Sequence, residues 1–328
     1  MLCYNSRAVS VLTHGSEQSE PNVKTIMKST LRAAVHGALG PMEANLLARY
    51  PAPRKPVVFI VGPPRSGTSL FYELLVTHYH LAFFSNLAHR FWRTPAAVTQ
   101  LGAGIIRNRR PLFQSAYGHI PGWSAPNEGG WIWRRWLKDG DWMDERAASG
   151  LPLAEMRATI GAIEAVMGAP FVNKNVMHAN RIRLLNLAFP GCLFLEVWRD
   201  PVETARSIIR AERKEKGPQK HPDNWWSVRP STARPGDVVE RAAVQVTGVI
   251  ADIARDSRYL NRDCLHRVDY ARLCAAPAEV MAEVASFLNG RGLVLQTRAE
   301  IPARFDLALS RPLEPTEEER LRILIDAG

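Results

Sequence analysis

Residues 57–69 read VVFIVGPPRSGTS: an unbroken apolar run, then a glycine, two prolines, an arginine and a string of small residues. A run this short, rich in β-branched side chains and bounded by Pro56 and Gly62, is a strand buried on both faces, as in a parallel sheet. From Ser69 to Val76 the spacing turns helical, so strand, tight loop and helix follow one another without a break. The same alternation returns later. FVNKN (171–175) reads as a strand, 179–189 as a helix, CLFLEVWR (192–199) as a strand, and a helix opens at Pro201. A helix over Val238–Asp256, the strand LHRVDY (265–270) and a helix over Pro277–Leu288 complete the pattern. Alternating strands and helices predict a three-layer α/β fold, its central parallel sheet flanked by helices.

The rest of the chain divides around this core. Residues 1–54 form an N-terminal extension, a polar lead followed by a weakly amphipathic helix. Residues 55–290 are the main domain, and 85–165 within it, rich in Trp, Arg and Pro without strand alternation, are a helical and loop insert. Residues 291–328 read as a charged tail. No repeat of 20–50 residues is evident. The N-terminus has no continuous apolar segment of the secretory kind, and no stretch reaches the roughly 18 apolar residues of a membrane span. A soluble cytoplasmic chain is the expectation, with Cys192 and Cys264 as buried reduced thiols. The formal net charge is +10. That favours an anionic partner, without choosing among nucleic acid, a membrane surface, a phosphorylated ligand and an acidic glycan.

The loop narrows the choice. Gly62–Ser69 keeps the frame of the phosphate cradle GxxxxGK[ST], but Thr68 stands where the lysine belongs. The backbone N–H groups of Ser66, Gly67, Thr68 and Ser69 can still ring an oxyanion at a helix N-terminus. Thr68 and Ser69 add hydroxyls, and Arg65 brings a planar cation from inside the loop. An ordinary capped strand-to-helix turn is the competing account. The second constellation is LFLEVWRDPVETARS (193–207). Asp200, Pro201 and Glu203 are explained as a capping box with Pro at its first position. Arg199 at the strand end is not, nor are Ser207, Arg210 and Lys214 on one helical face. Those residues would clamp a second anion beside the first, at the carboxyl edge of the sheet.

With both constellations in view, the chain resembles the sulfotransferases that use 3′-phosphoadenosine 5′-phosphosulfate (PAPS), most clearly their bacterial and carbohydrate-type branch. PRSGTS is similar to that family's 5′-phosphosulfate loop, and Arg199 with Ser207 to its 3′-phosphate pair. FVNKNVMHANRIRLLNLAFPGCLFLEVWRDP resembles the intervening run, and RVDYARLCAAPAEVMAEVASFLNG the late strand–Tyr–helix segment. The resemblance covers about residues 55–84 and 168–290. It implies a P-loop-like fold and PAPS as co-substrate with no metal. It implies a hydroxyl or amine acceptor on a carbohydrate, glycolipid or small metabolite. Arg65 and Lys174 would be the catalytic cations, and Tyr270 would approach adenine. Because sulfuryl transfer moves a planar group in line, positioning and charge stabilisation carry most of the catalysis.

The base stays open between two residues. The histidine that cytosolic relatives place two residues after the lysine is Val176 here, which leaves His178, four after Lys174, or Glu128 in SAPNEGGW. His89 and His119 have no motif behind them. The nine tryptophans are expected in the core, with stacking on an acceptor as the alternative. The basic run Arg206–Lys220 reads as solvated, as a phosphate clamp, or as an attractor for an anionic acceptor. Two other classes remain to be weighed. A P-loop kinase or NTPase lacks here its lysine and an evident metal-binding aspartate. A basic nucleic-acid-binding protein lacks a recognised motif, so no nucleic-acid partner is expected.

Overall fold

The computed structural model describes residues 23–113, 118–137, 142–216, 225, 227–261 and 263–328. The polar N-terminal lead with Cys3, Lys220 of the basic run and Trp226 lie outside the described residues. Strands β1 (Val58–Val61), β2 (Val172–Lys174), β3 (Leu193–Trp198) and β4 (Leu265–Asp269) form one sheet in the order β2-β1-β3-β4. Every pairing is parallel, with Ile60 beside Lys174, Val61 beside Glu196 and Trp198 beside Asp269. All four carboxyl ends therefore open on one edge, and the loops carrying Arg65, Lys174, Arg199 and Tyr270 meet there. β1 is fully buried, as its unbroken apolar run requires.

Helix α1 (Val23–Arg49) precedes the sheet, and α2 (Thr68–His78) leaves the loop after β1. The insert supplies α3 (Asn86–Arg90), α4 (Pro95–Arg107), the single turn α5 (Gly130–Trp133) and α6 (Leu153–Met167). It is anchored at both ends of α4. The Glu43 carboxylate of α1 accepts from the N–H groups of Ala96 and Ala97 at 3.3 and 2.7 Å, standing in for a side-chain cap that Thr94 does not supply. Beyond α4, Arg109 forms a buried ion pair with Glu73 of α2 at 3.6 Å.

The segment read as one helix over 179–189 splits into a 3-10 turn at Val176–Asn180 and α7 (Ile182–Ala188). The helices α8 (Pro201–Lys216), α9 (Val238–Ser257), α10 (Tyr270–Ala275) and α11 (Pro277–Asn289) fall within a few residues of expectation. At α8, Asp200 accepts from the Glu203 N–H at 2.8 Å as a cap should, but the Glu203 side chain turns away to Arg206 and to the Ser310 N–H. The complete capping box lies at α9 instead, between Asp237 and Glu240. The charged segment after 291 is packed structure. Residues 301–314 run back across the carboxyl edge, and α12 (Pro315–Asp326) lies on α8 and α9, with Leu321 fully buried among Ala205, Ile208, Ile209 and Val246. Three of its charges pair with α8 or the start of α9, Glu317 with Arg213, Glu318 with Arg206 and Arg320 with Asp237 and Glu240.

Candidate active site

The loop after β1 is shaped by two close approaches. A Cβ on Gly67, the N-cap of α2 at φ 97°, would stand 2.1 Å from the Tyr270 ring. Only glycine lets that ring lie flat on the loop. A Cβ on Gly62 would stand 2.7 Å from the Val197 carbonyl oxygen of β3. Between them Arg65 holds the left-handed region at φ 69°, an unfavourable one for an L-residue with a long side chain. Its Nε donates to Ser207 Oγ on α8 at 3.1 Å. Ser66 is fully buried, and its hydroxyl has no hydrogen-bond partner in the protein. No side chain caps α2, so its first N–H groups, from Thr68 onward, face the cavity unopposed.

That cavity measures about 490 Å³ and is lined by the loop, Lys174, Glu128, Arg199, Trp225 and Tyr270 among others. Lys174, only 2% exposed at the end of β2, donates to Ser69 Oγ at 3.1 Å and pairs with the Glu128 carboxylate. Gly118 closes over this pair: a Cβ there would lie 2.8 Å from Glu128 Oε1 and 3.6 Å from Lys174 Nζ. Arg199 donates to the Arg65 carbonyl at 3.0 Å and to the Ala308 carbonyl, with its guanidinium 5.0 Å above the Tyr270 ring. Burial pushes the Tyr270 hydroxyl up to about 12, so the phenol stays neutral at physiological pH. A second cavity of about 410 Å³ adjoins the first. Arg65 lines both, and Ser207, Arg210, Lys214, Ser310 and Arg311 line the second.

A profile of the sulfotransferase family matches residues 56–291. The chain belongs to that family. A search of curated proteins finds no significant match. Among solved structures, a sulfotransferase of Mycobacterium avium superposes with a TM-score of 0.50 at 14% identity, over 89% of this chain and 72% of that one. One from Mycobacterium tuberculosis gives 0.47 at 16% identity, over 82% and 76%. One from Alicyclobacillus acidocaldarius gives 0.45 at 16% identity, over 83% and 92%. The first of these shows a fold in common. The protein is thus a sulfotransferase, an enzyme of sulfuryl transfer on an α/β fold. Among the described residues no helix is long and apolar enough to cross a membrane, and no group of three or more His, Cys, Asp or Glu is arranged to hold a metal ion.

The sulfotransferase's carboxyl edge gathers Arg65, Gly67, Thr68, Ser69, Glu128, Lys174, Arg199 and Tyr270 around one cavity and Ser207 beside it. His178 is not among them. Its ring is fully buried between Phe59 and Trp133, at centroid distances of 5.1 and 4.6 Å, because the 3-10 turn after β2 rotates it under the sheet. A group so enclosed cannot exchange a proton with an acceptor, and the placement corrects the expectation of a histidine base. Four contributors had no sequence signal that singled them out. Ala308 and Ser310–Arg311 come from the segment after the last strand, and Trp225 from a polar loop whose tryptophans read as core by default.

The buried histidine has a measurable consequence. Burial, then the charges of Arg181 and Lys174, hold His178 well below its ordinary value, so the folded protein keeps it neutral. The unfolded chain takes up that proton near pH 6.5, and stability is lost as pH falls through and below that value. Each further unit of acid should cost about 1.4 kcal/mol at this residue alone. His178→Gln retains an amide donor without a titrating group. Its urea midpoint should therefore fall less between pH 7.5 and 5.5 than that of the parent. His36, His80, His89 and His266 are also held low by burial and cancel in the comparison. Parallel pH profiles for the two proteins would show that His178 is not buried neutral.

Proposed function

We propose that this sulfotransferase takes the sulfuryl group of PAPS and passes it to a hydroxyl or amine acceptor of the carbohydrate, glycolipid or small-metabolite kind. One observation carries the reading: Arg65 lies on the wall between two adjoining cavities and bonds Ser207 across it. A donor with phosphates on the 5′ and 3′ sides of one ribose requires two anion sites in that relation. The fit extends to detail. The orphaned Ser66 hydroxyl and the uncapped start of α2 suit the 5′ group. Arg199, Ser207 and the basic face of Arg210 and Lys214 suit the 3′-phosphate. Tyr270, flat on Gly67, and Trp225 suit a purine.

Within that frame Glu128 is the base. Its carboxylate takes the acceptor's proton as the acceptor oxygen bonds to sulfur. The bond from sulfur to the bridging phosphate oxygen breaks, and its electron pair leaves with 3′,5′-adenosine bisphosphate. Lys174 and Arg65 stabilise the charge that gathers on the bridging oxygen.

Titration calorimetry tests the donor. Arg199→Ala and Ser207→Ala should each weaken 3′,5′-adenosine bisphosphate by about 10- to 100-fold, the range for one hydrogen bond to a charged group. Adenosine 5′-phosphate, with no 3′-phosphate to clamp, should be nearly unaffected. Equal losses for the two nucleotides would overturn the assignment.

A further inference from the structure

Three consecutive side chains at the end of β2 reach toward the segment that carries Glu128. Asn173 Oδ1 receives the Trp133 indole N–H at 2.8 Å and faces His178 Nε2 at 2.9 Å. An indole nitrogen only donates, so the atom it meets is the amide oxygen and the Asn173 amide has one orientation. Its Nδ2 then donates to the Asn127 carbonyl at 3.2 Å. By the same reasoning His178 carries its proton on Nε2, leaving Nδ1 bare and buried without a partner. Two residues on, Asn175 Nδ2 donates to the Glu128 carbonyl at 3.2 Å, and its Oδ1 accepts from the Met177 N–H at 2.9 Å. Asn173 is fully buried and Asn175 nearly so.

The segment being held is itself rigid. The Asn127 N–H donates to the Phe84 carbonyl at 2.7 Å, its Nδ2 to Asn86 Oδ1 at 2.6 Å, and its Oδ1 accepts from the Gly129 N–H at 2.7 Å. The carbonyls immediately before and after the Glu128 α-carbon are thus held by the residues immediately before and after Lys174. The ammonium between those residues holds the carboxylate.

We propose that Asn173 and Asn175 are positioning residues for sulfuryl transfer. Asn173–Lys174–Asn175 grips Asn127–Glu128 at three points and sets where the carboxylate stands beside the ammonium. The proposal rests on the reading of Glu128 as the base. A base works only within hydrogen-bond reach of the proton it takes, and a displacement of about 1 Å costs on the order of 100-fold in rate. His178 enters here in a different part from the one expected of it. It orients the Asn173 amide and touches no reactant.

Asn175→Ser keeps an oxygen to accept from the Met177 N–H but is too short to reach the Glu128 carbonyl. The probe reaction is release of 3′,5′-adenosine bisphosphate from PAPS with water as acceptor, read in single turnover. Asn175→Ser should slow it by about 10- to 100-fold and leave the calorimetric affinity for 3′,5′-adenosine bisphosphate unchanged. Hydrogen exchange at Gly129 and Gly130 should quicken. In a Glu128→Gln background the same substitution should add nothing, because it acts through a carboxylate no longer there. Equal slowing in both backgrounds, or a folded Asn175→Ser enzyme at full rate, overturns the positioning role alone. A Glu128→Gln enzyme at full rate overturns the base and the positioning role together. If Asn175→Ser does not fold, Asn175→Thr runs the same cycle, since it also keeps an oxygen for the Met177 N–H, suits the extended backbone there and cannot reach the Glu128 carbonyl.

Discussion

Lys174→Met is expected to lower kcat by about 100- to 1,000-fold, the cost of removing one preorganised donor from a developing oxyanion. Methionine keeps the bulk of the buried stem, so the slot at the end of β2 stays filled and the fold persists. What disappears is the charge that reaches both Ser69 and Glu128. With the proposed donor, affinity for 3′,5′-adenosine bisphosphate should change little, because that product would no longer carry the sulfuryl group and the proposed 3′-phosphate site lies away from Lys174. Rapid-quench single turnovers measure the first quantity and calorimetry the second. A variant that keeps most of its rate would exclude Lys174 from the reacting group. Loss of product affinity as large as the loss of rate would make it a ground-state ligand.

The second large effect is expected from removing residues 302–328. This deletion takes away Ala308 from the first cavity and Ser310 and Arg311 from the second. It also strips the partners of Arg199, Arg206 and Arg210, whose guanidiniums meet the Ala308 carbonyl, Glu318 and the carbonyls of Arg311 and Pro312. We expect nucleotide affinity to fall at least about 100-fold, since a cation and its neighbouring hydrogen bonds are lost together. The melting temperature should fall as well, because the apolar face shared by α8 and α9 loses its cover. Leu321→Ala separates the two consequences. It should cost about 2–5 kcal/mol as a buried cavity while leaving the walls of both cavities in place. A truncated chain that binds nucleotide as well as the full one would refute the arrangement.

What could be read from the sequence was whatever is decided locally. The run VVFIV followed by Gly62 and Gly67 needs no distant information to become strand, loop and helix, and the structure puts β1 and α2 within a residue or two of the expected limits. Arg199 is likewise fixed by its place at the end of β3. The burial of His178, one of the two candidate bases, is not legible because its four-residue spacing from Lys174 says nothing of the intervening turn. Its direction is settled by Phe59 and Trp133, which are distant in the chain. The hydrogen bonds of Asn173 and Asn175 to the Glu128 segment are hidden for the same reason, since their partners lie 46 and 47 positions away. Residues 291–328 read as a charged tail because the pairing of Glu317 with Arg213, Glu318 with Arg206 and Arg320 with Asp237 and Glu240 is a complementarity that no periodicity reports.

That last segment also bears on when the site comes into being. Synthesis runs from the amino end, so every strand of the sheet and the loop after β1 emerge before Ala308, Ser310 and Arg311 do. A nascent chain can lay down β1 to β4 and bury their apolar faces while Arg199 and Arg210 still lack the carbonyls they meet in the finished protein. On the proposed function, nucleotide would therefore add most to the closing step of folding, the docking of α12 across α8 and α9, where the last walls of the two cavities arrive. Ligand added during translation should protect the completed chain far more than the early intermediates.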